Sequence, residues 1–75
     1  MEPYKNLGGN SSVVAYQLGE DYIKVQFITG HWTIYTYTYL SASSAAIETM
    51  KSLAVRGQGL NSYLSTNKPA YSLKI

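Results

Sequence analysis

The segment TIYTYTY, residues 33–39, decides the fold class because threonine and tyrosine alternate strictly along it. A period of two places its tyrosines on one face of a β-strand and Ile34, Thr36 and Thr38 on the other. Both residue types favour a pleated backbone. We therefore predict a strand whose phenol rings form either a packing surface or a platform for a flat ligand such as a nucleobase. The tyrosines are Tyr35, Tyr37 and Tyr39.

The residues before this segment predict its partner strands. Residues 22–29 alternate apolar with polar side chains, which is typical of a strand with one wet face. Gly30 follows, and a glycine can supply the positive φ that a tight hairpin needs. Residues 11–18 form an earlier apolar run, and the last predicted strand covers residues 32–40. Short links between the three strands predict an antiparallel meander.

After Leu40 the apolar spacing becomes helical. Residues 45–56 predict a helix of about three turns that Gly57 ends. Residues 60–64 repeat the helical spacing over one further turn, and residues 71–75 alternate again, as an edge strand does. Such a strand can pair with the chain's own sheet or with the sheet of a second copy. We therefore expect that the chain can self-associate through it. The apolar stripe of the main helix is Ile47, Met50, Leu53 and Ala54.

The expected architecture is one α+β domain. It consists of a three-stranded antiparallel meander with one main helix packed on one face, a short second helical turn and the C-terminal edge strand. Residues 1–10 contain Pro3 and the pair Gly8-Gly9, and we expect them to be a flexible lead-in to a domain at residues 11–75. The expected core consists of Ile23, Val25 and Phe27 packed against Ile47, Met50 and Leu53.

The face that carries the tyrosines depends on the register of the hairpin. A two-residue loop pairs Phe27 with Trp32 and Val25 with Ile34, which leaves the tyrosines on the open face. A three-residue loop pairs Val25 with Tyr35 and buries the rings beneath the helix. We prefer the first register because it buries the tryptophan and the isoleucine. Tyrosines on an open sheet face can bind a ligand or simply stabilise cross-strand packing, and both interpretations stay open.

Composition excludes several classes of function. The 75 residues include no cysteine and a single histidine, His31, so disulfides and a cysteine-based zinc site are excluded and no metal site is expected. A net charge of +2 is too small for a protein that depends mainly on phosphate contacts. The four carboxylates form no paired motif, and no nucleophile stands beside a base, so we expect no enzyme and no cofactor. Without a signal peptide or an apolar span, we expect a cytoplasmic protein that does not enter a membrane.

A series of spaced features extends along most of the chain. Ser11-Ser12-Val13 opens a strand, and Ile23-x-Val25-x-Phe27-x-x-Gly30 follows; then come Tyr35-x-Tyr37, Leu40, a helix, and Gly57-x-x-Leu60-Asn61-x-x-Leu64. In this order they resemble the KTSC domain, found at the C-terminus of some lysyl-tRNA synthetases and as free-standing bacterial and phage proteins. Ser41 replaces a proline common in that family. The resemblance implies a small domain with no established enzymatic activity, for which RNA binding has been suggested.

Three polar residues lie at the predicted junction between the two helical segments. Arg56, Gln58 and Asn61 supply a guanidinium and two amides, which can contact a phosphate or the edge of a base. Alternatively, Asn61 caps the second helical turn through its side chain, and we favour this role for Asn61. Arg56 could likewise stabilise the C-terminal end of the main helix.

These observations together predict a non-catalytic binding module. RNA or a nucleotide is the leading ligand class, with the tyrosines supplying stacking area and Arg56, Gln58 and Asn61 supplying polar contacts. The alternative is a small phage-type protein that binds and inhibits a host defence protein or sequesters a nucleotide signal. Strong weakening by salt would indicate phosphate-driven binding, whereas a protein partner depends less on salt.

Overall fold

The computed structural model describes residues 1–9, 11–29 and 31–75, and all of their side chains except those of Thr29, His31 and Trp32. Over these ranges five strands form one antiparallel sheet in chain order, and three helices lie between the fourth strand and the fifth. The α+β class is confirmed, whereas the three-stranded meander was an underestimate. The predicted role of Gly30 falls outside the described residues. The elements are β1 (Glu2–Pro3), β2 (Val13–Leu18), β3 (Tyr22–Thr29), β4 (His31–Thr38), α1 (Tyr39–Ala42), α2 (Ser44–Arg56), α3 (Leu60–Asn67) and β5 (Leu73–Lys74).

The core lies between α2 and the middle of the sheet. Ile23 and Val25 of β3 are fully buried against Ile47 and Met50 of α2, as predicted. Phe27 and Leu53 were also predicted to be core residues, but they are only partly buried at its margin. The apolar stripe of α2 therefore covers one half of the sheet face and leaves the half around Phe27 to other elements.

The N-terminal residues do not match the expected flexible lead-in. Glu2 and Pro3 form β1 and pair with Tyr16 and Ala15 of β2. Tyr4 is only 7% exposed and belongs to the core cluster. Its hydroxyl accepts a hydrogen bond of 3.2 Å from the backbone N–H of Leu60, at the start of α3. A phenol from the other end of the chain thus satisfies a donor that the helix itself leaves free.

α2 ends at Gly57, as the sequence predicts. Gly57 has φ 79°, and its N–H donates to the carbonyl oxygens of Leu53 and Ala54 at 3.0 and 3.1 Å. Its own carbonyl oxygen accepts from the N–H of Leu7 at 2.7 Å. A Cβ at this position would lie 2.5 Å from the Cβ of Lys5. The left-handed backbone and the close N-terminal segment therefore both require glycine here.

β4 ends at Thr38, two residues earlier than predicted, because a capping box starts α1 there. The Thr38 hydroxyl accepts from the N–H of Ser41, and the Ser41 hydroxyl accepts from the N–H of Thr38, at 3.1 and 3.0 Å. α1 then stops at Ser43, whose φ of 86° and ψ of 152° fall in a region that glycine almost alone adopts. Leu40 of α1 is fully exposed.

The C-terminal edge strand is confirmed, and it belongs to the chain's own sheet. β5 pairs with β4, Leu73 opposite Thr36 and Lys74 opposite Tyr35. Ile75 exchanges both backbone hydrogen bonds with Ile34, at 2.9 and 3.0 Å. Self-association through this strand stays a prediction.

We expect Gly57→Ala to lower the free energy of unfolding by about 2 kcal/mol, because an L-residue in the left-handed region costs about 1–2 kcal/mol and Lys5 must also move. Urea unfolding would measure the loss. Gly8→Ala is the matched control, since nothing lies within 4 Å of a Cβ built at Gly8. Equal unfolding midpoints for the two variants would contradict the packing of the N-terminal segment against Gly57.

We expect Ser43→Gly to raise stability by about 1 kcal/mol. The strained conformation costs roughly 1–3 kcal/mol and is free for glycine. The lost cap, in which the Ser43 hydroxyl accepts from the N–H of Ala46 at 3.3 Å, costs only a few tenths of a kcal/mol when glycine replaces serine. Ser43→Ala, which keeps the strain and loses the cap, should be destabilised in the same thermal melts. The opposite order of the two melting temperatures would show that the backbone at Ser43 is unstrained.

Candidate functional site

The observed register of β3 and β4 corrects the preferred one. Val25 pairs with Tyr35 and Ile23 with Tyr37, which is the register of the three-residue loop. The tyrosines therefore point toward the helices, and Tyr37 is only 5% exposed. Ile34 lies on the opposite face of the sheet, opposite Gln26. Tyrosines can occupy the core face because a phenol ring packs well against apolar side chains while its hydroxyl reaches the margin of the core.

Four aromatic rings gather on the half of the sheet that α2 leaves open. The rings of Tyr35 and Tyr37 are stacked, with centroids 6.2 Å apart and planes at 15°. Phe27 meets the ring of Tyr35 edge-on at 5.3 Å. Tyr71, in the segment before β5, meets Tyr35 edge-on at 4.8 Å and Tyr37 at 6.5 Å. The C-terminal tail thus completes a cluster that the β3–β4 hairpin begins.

A hollow of about 290 Å³ opens between this cluster and α3, and we call it the aromatic hollow. Aromatic rings from the sheet form one wall, and α3 supplies an amide, a hydroxyl and a leucine to the other. The Nζ of Lys74 lies 5.4 Å from the centroid of the Tyr35 ring, so a positive charge stands beside the cluster. The residues that line the hollow are Phe27, Tyr35, Tyr37, Asn61, Leu64 and Ser65.

Burial makes the phenol of Tyr37 harder to ionise. Desolvation, with smaller contributions from the neighbouring phenols of Tyr35 and Tyr71, raises the pKa of Tyr37 to about 12. The hydroxyl is therefore neutral throughout the physiological range. A neutral phenol at the edge of an apolar wall can donate one hydrogen bond to a ligand and accept others.

A second hollow of about 290 Å³ lies at the start of α3, and we call it the polar hollow. Asn61 lines both hollows, so the two adjoin at this residue. α3 begins after Gly59, which has φ 91° and provides no side-chain cap. The prediction that the side chain of Asn61 caps α3 is therefore wrong. The residues that line the polar hollow are Tyr4, Asn6, Gly8, Ser11, Gln58, Gly59, Asn61 and Ser62.

The six residues predicted for the site do not all converge. Tyr35, Tyr37 and Asn61 line the aromatic hollow, and Gln58 joins Asn61 at the polar hollow. Arg56 is exposed at the last position of α2 and lines neither hollow.

Tyr39 lies in a separate network with α2. Its hydroxyl donates to Oε2 of Glu48 at 2.6 Å, and Nζ of Lys51 lies 5.7 Å from its ring centroid. The hydrogen bond to Glu48 is the main cause that raises the pKa of Tyr39, and the same bond lowers the pKa of Glu48. A phenol bound to a carboxylate in this way is a structural contact between α1 and α2.

Several residues of the aromatic cluster and of the two hollows were missed by the sequence analysis. The alternation of residues 71–75 could have placed Tyr71 beside the β4 tyrosines once the edge strand was assigned to β4. Tyr4 and Asn6 carry no comparable signal, because they reach α3 from the other end of the chain.

Among the side chains that the structure describes, no group of three or more from histidine, aspartate and glutamate is arranged to hold a metal ion. None of the described helices is both long and apolar enough to cross a membrane.

Tyr37 should give the protein a measurable dependence on alkaline pH. Its pKa is raised in the fold, so its contribution to stability is complete below pH 10 and is lost as the pH rises from about 10 toward about 12. Urea unfolding at about pH 8 and about pH 11 should show this loss, and Tyr37→Phe should reduce it. Tyr22→Phe, on the other face of the sheet, should leave it unchanged. An identical loss in Tyr37→Phe and in the unmodified protein would contradict the burial of this phenol.

Comparison with known proteins adds no relative: no family model, no curated protein and no solved structure matches this chain. The resemblance to the KTSC domain therefore stays a prediction that rests on the quoted residues.

Proposed function

We propose that this protein is a non-catalytic binding module that takes a base of RNA or of a free nucleotide in the aromatic hollow. The observation that supports it most directly is convergence. Tyr35 and Tyr37 of β4 and Asn61 of α3 were singled out from separate parts of the sequence, and they line one hollow. Aromatic walls with one amide are what a flat, hydrogen-bonding ligand requires.

The chemistry of the walls fits a nucleobase. Every base has a π face that packs on aromatic side chains, and such packing contributes roughly 1–3 kcal/mol per base. The Asn61 amide offers a donor and an acceptor side by side, the pattern that an adenine edge matches. The neutral Tyr37 hydroxyl adds a second polar group to the same wall. An adenine nucleotide is therefore the first probe.

The small positive charge near the aromatic hollow limits the number of phosphates that the protein can contact. Lys74 stands beside Tyr35, and the whole chain carries a net charge of only +2. For single strands the logarithm of the binding constant falls with the logarithm of salt concentration with a slope of about −0.7 per neutralised phosphate. One or two contacted phosphates give a slope between about −0.7 and −1.4. The protein thus recognises a short ligand, or a short part of a longer one.

We expect Tyr35→Leu to weaken binding of AMP and of a fluorescent adenine RNA hexamer tenfold or more, because it removes a ring of the hollow. Tyr39→Leu is the matched variant: it changes the same residue type on the neighbouring α1, outside both hollows. It should bind within about twofold of the unmodified protein. Fluorescence anisotropy and calorimetry at about 20 mM salt would measure both, after thermal melts show that each variant is folded. Tyr37→Ala is unsuitable because Tyr37 is buried.

Two results would contradict the proposal. One is no detectable affinity for AMP, the other mononucleotides and single-stranded RNA or DNA at low salt, where electrostatic attraction is strongest. The other is equal weakening by Tyr35→Leu and Tyr39→Leu, which would place the ligand outside the aromatic hollow. A salt slope much steeper than −1.4 would indicate a phosphate-driven surface instead.

A second candidate function is supported by a different region. α1 is held by its capping box and by the N–H of Tyr39, which donates to the carbonyl oxygen of Asp21 at 3.0 Å, yet Leu40 is fully exposed. The carboxylates of Glu20, Asp21 and Glu48 are close enough to Tyr39 to raise its pKa. One of these carboxylates, Glu48, is paired with Lys51 at 3.1 Å, so the surroundings of Tyr39 are acidic on balance. An exposed leucine next to Tyr39 fits a partner protein with an apolar pocket flanked by basic side chains. A host protein of this kind is the alternative partner.

Leu40→Asp tests this second candidate. It should abolish retention of a partner protein from nuclease-treated lysate while the melting temperature stays unchanged, because Leu40 makes no core contact. Val55→Asp, at another exposed aliphatic residue, is the control and should retain the same protein. Equal retention by both variants would remove α1 as the docking surface.

A further inference from the structure

The polar hollow differs from the aromatic hollow in its chemistry. Its side chains are amides and hydroxyls from Asn6, Ser11, Gln58, Asn61 and Ser62, with the phenol of Tyr4 behind them. None of the described residues that line it is a carboxylate, lysine, arginine or histidine, so this lining carries no formal charge. Oδ1 of Asn6 and Oγ of Ser11 already accept from the N–H groups of Ser11 and Val13, at 3.1 and 2.9 Å. The groups that can both donate to a ligand and accept from it are therefore mainly those of Gln58, Asn61 and Ser62.

The lining of the polar hollow suits some parts of a nucleotide better than others. A phosphate is an acceptor only, and the sites that hold it strongly supply charged donors. A sugar hydroxyl both donates and accepts, so it can pair with an amide oxygen, an amide nitrogen or a serine hydroxyl. Neutral amides and hydroxyls on several sides of one hollow therefore fit a hydroxyl-bearing group better than an anion.

The position of the polar hollow connects it to the proposed base site. Asn61 lines both hollows, so they are neighbours along α3 and lie close enough for one nucleotide to occupy both. In a nucleotide, the group attached to the base is the sugar. α3 and the N-terminal segment hold this arrangement together, because the Tyr4 hydroxyl binds the N–H of Leu60, the residue before Asn61.

We propose that the polar hollow recognises ribose hydroxyls and makes the protein selective for ribonucleotides over deoxyribonucleotides. This inference rests on the proposed function and adds a second recognition site to it. The 2′-hydroxyl is the group by which a protein distinguishes RNA from DNA at a given position. A deoxyribose would leave polar groups of the hollow without a partner, which is the usual basis of strong discrimination.

The test compares AMP with dAMP, and an adenine RNA hexamer with the DNA hexamer of the same sequence, by calorimetry and anisotropy. We expect the ribose form to bind about tenfold more tightly. Gln58→Leu and Ser62→Ala change exposed residues of the hollow and should bring the ratio of the two affinities close to one. Their main effect should be on the ribose ligand. Ser52→Ala, an exposed serine of α2 outside both hollows, should keep the full ratio.

The outcomes separate this inference from the function it rests on. Equal affinity for AMP and dAMP, or an unchanged ratio in both Gln58→Leu and Ser62→Ala, overturns ribose recognition and leaves the base site standing. Weakening of both ligands by the same factor in these variants also overturns it, since the hollow would then contact some other part of the nucleotide. If no mononucleotide and neither hexamer binds the unmodified protein, ribose recognition and the base site are both overturned.

Discussion

The pairing of β3 with β4 is the constraint on which the rest of the structure depends. With Val25 opposite Tyr35, the tyrosine side of β4 and the aliphatic side of β3 share one face. A shift by one residue would send every tyrosine to the other face and bring Ile34 to the core side. The packing of Tyr71 and the aromatic wall of the aromatic hollow both follow from this one pairing.

Local signals in the sequence were enough to predict the elements on which this pairing is built. Threonine and tyrosine alternate in β4, the stripe of Ile47 and Met50 identifies the buried side of α2, and Gly57 ends that helix. The register could not be predicted in the same way, because either register buries enough apolar side chains to form a core. Contacts distant in sequence accompany the observed choice: Tyr71 packs on Tyr35 and Tyr37, and β5 pairs with β4.

The candidate site was predictable to the extent that its residues belong to regular elements. Tyr35 and Tyr37 follow from strand alternation, and Asn61 from its place at a helix junction. The contribution of the N-terminus was not predictable, since Tyr4 acts on a helix that begins 56 residues later. A short segment with a proline and two glycines reads as mobile unless its distant partner is known. Arg56 was predicted to belong to the site because it is close to Gln58 in sequence, but it lies at neither hollow.

The short C-terminal strand has a consequence for solubility. β4 is rich in threonine and tyrosine, carries no lysine, arginine or carboxylate, and contains no proline, which is the composition of segments that stack into amyloid-like sheets. β3 covers one edge of β4 along its whole length, but among the described residues the other edge is covered by a short segment alone, Ser72, Leu73, Lys74 and the backbone of Ile75. These four residues therefore protect the sheet against edge-to-edge aggregation, and proteolytic loss of the tail would expose β4 as a template for fibres.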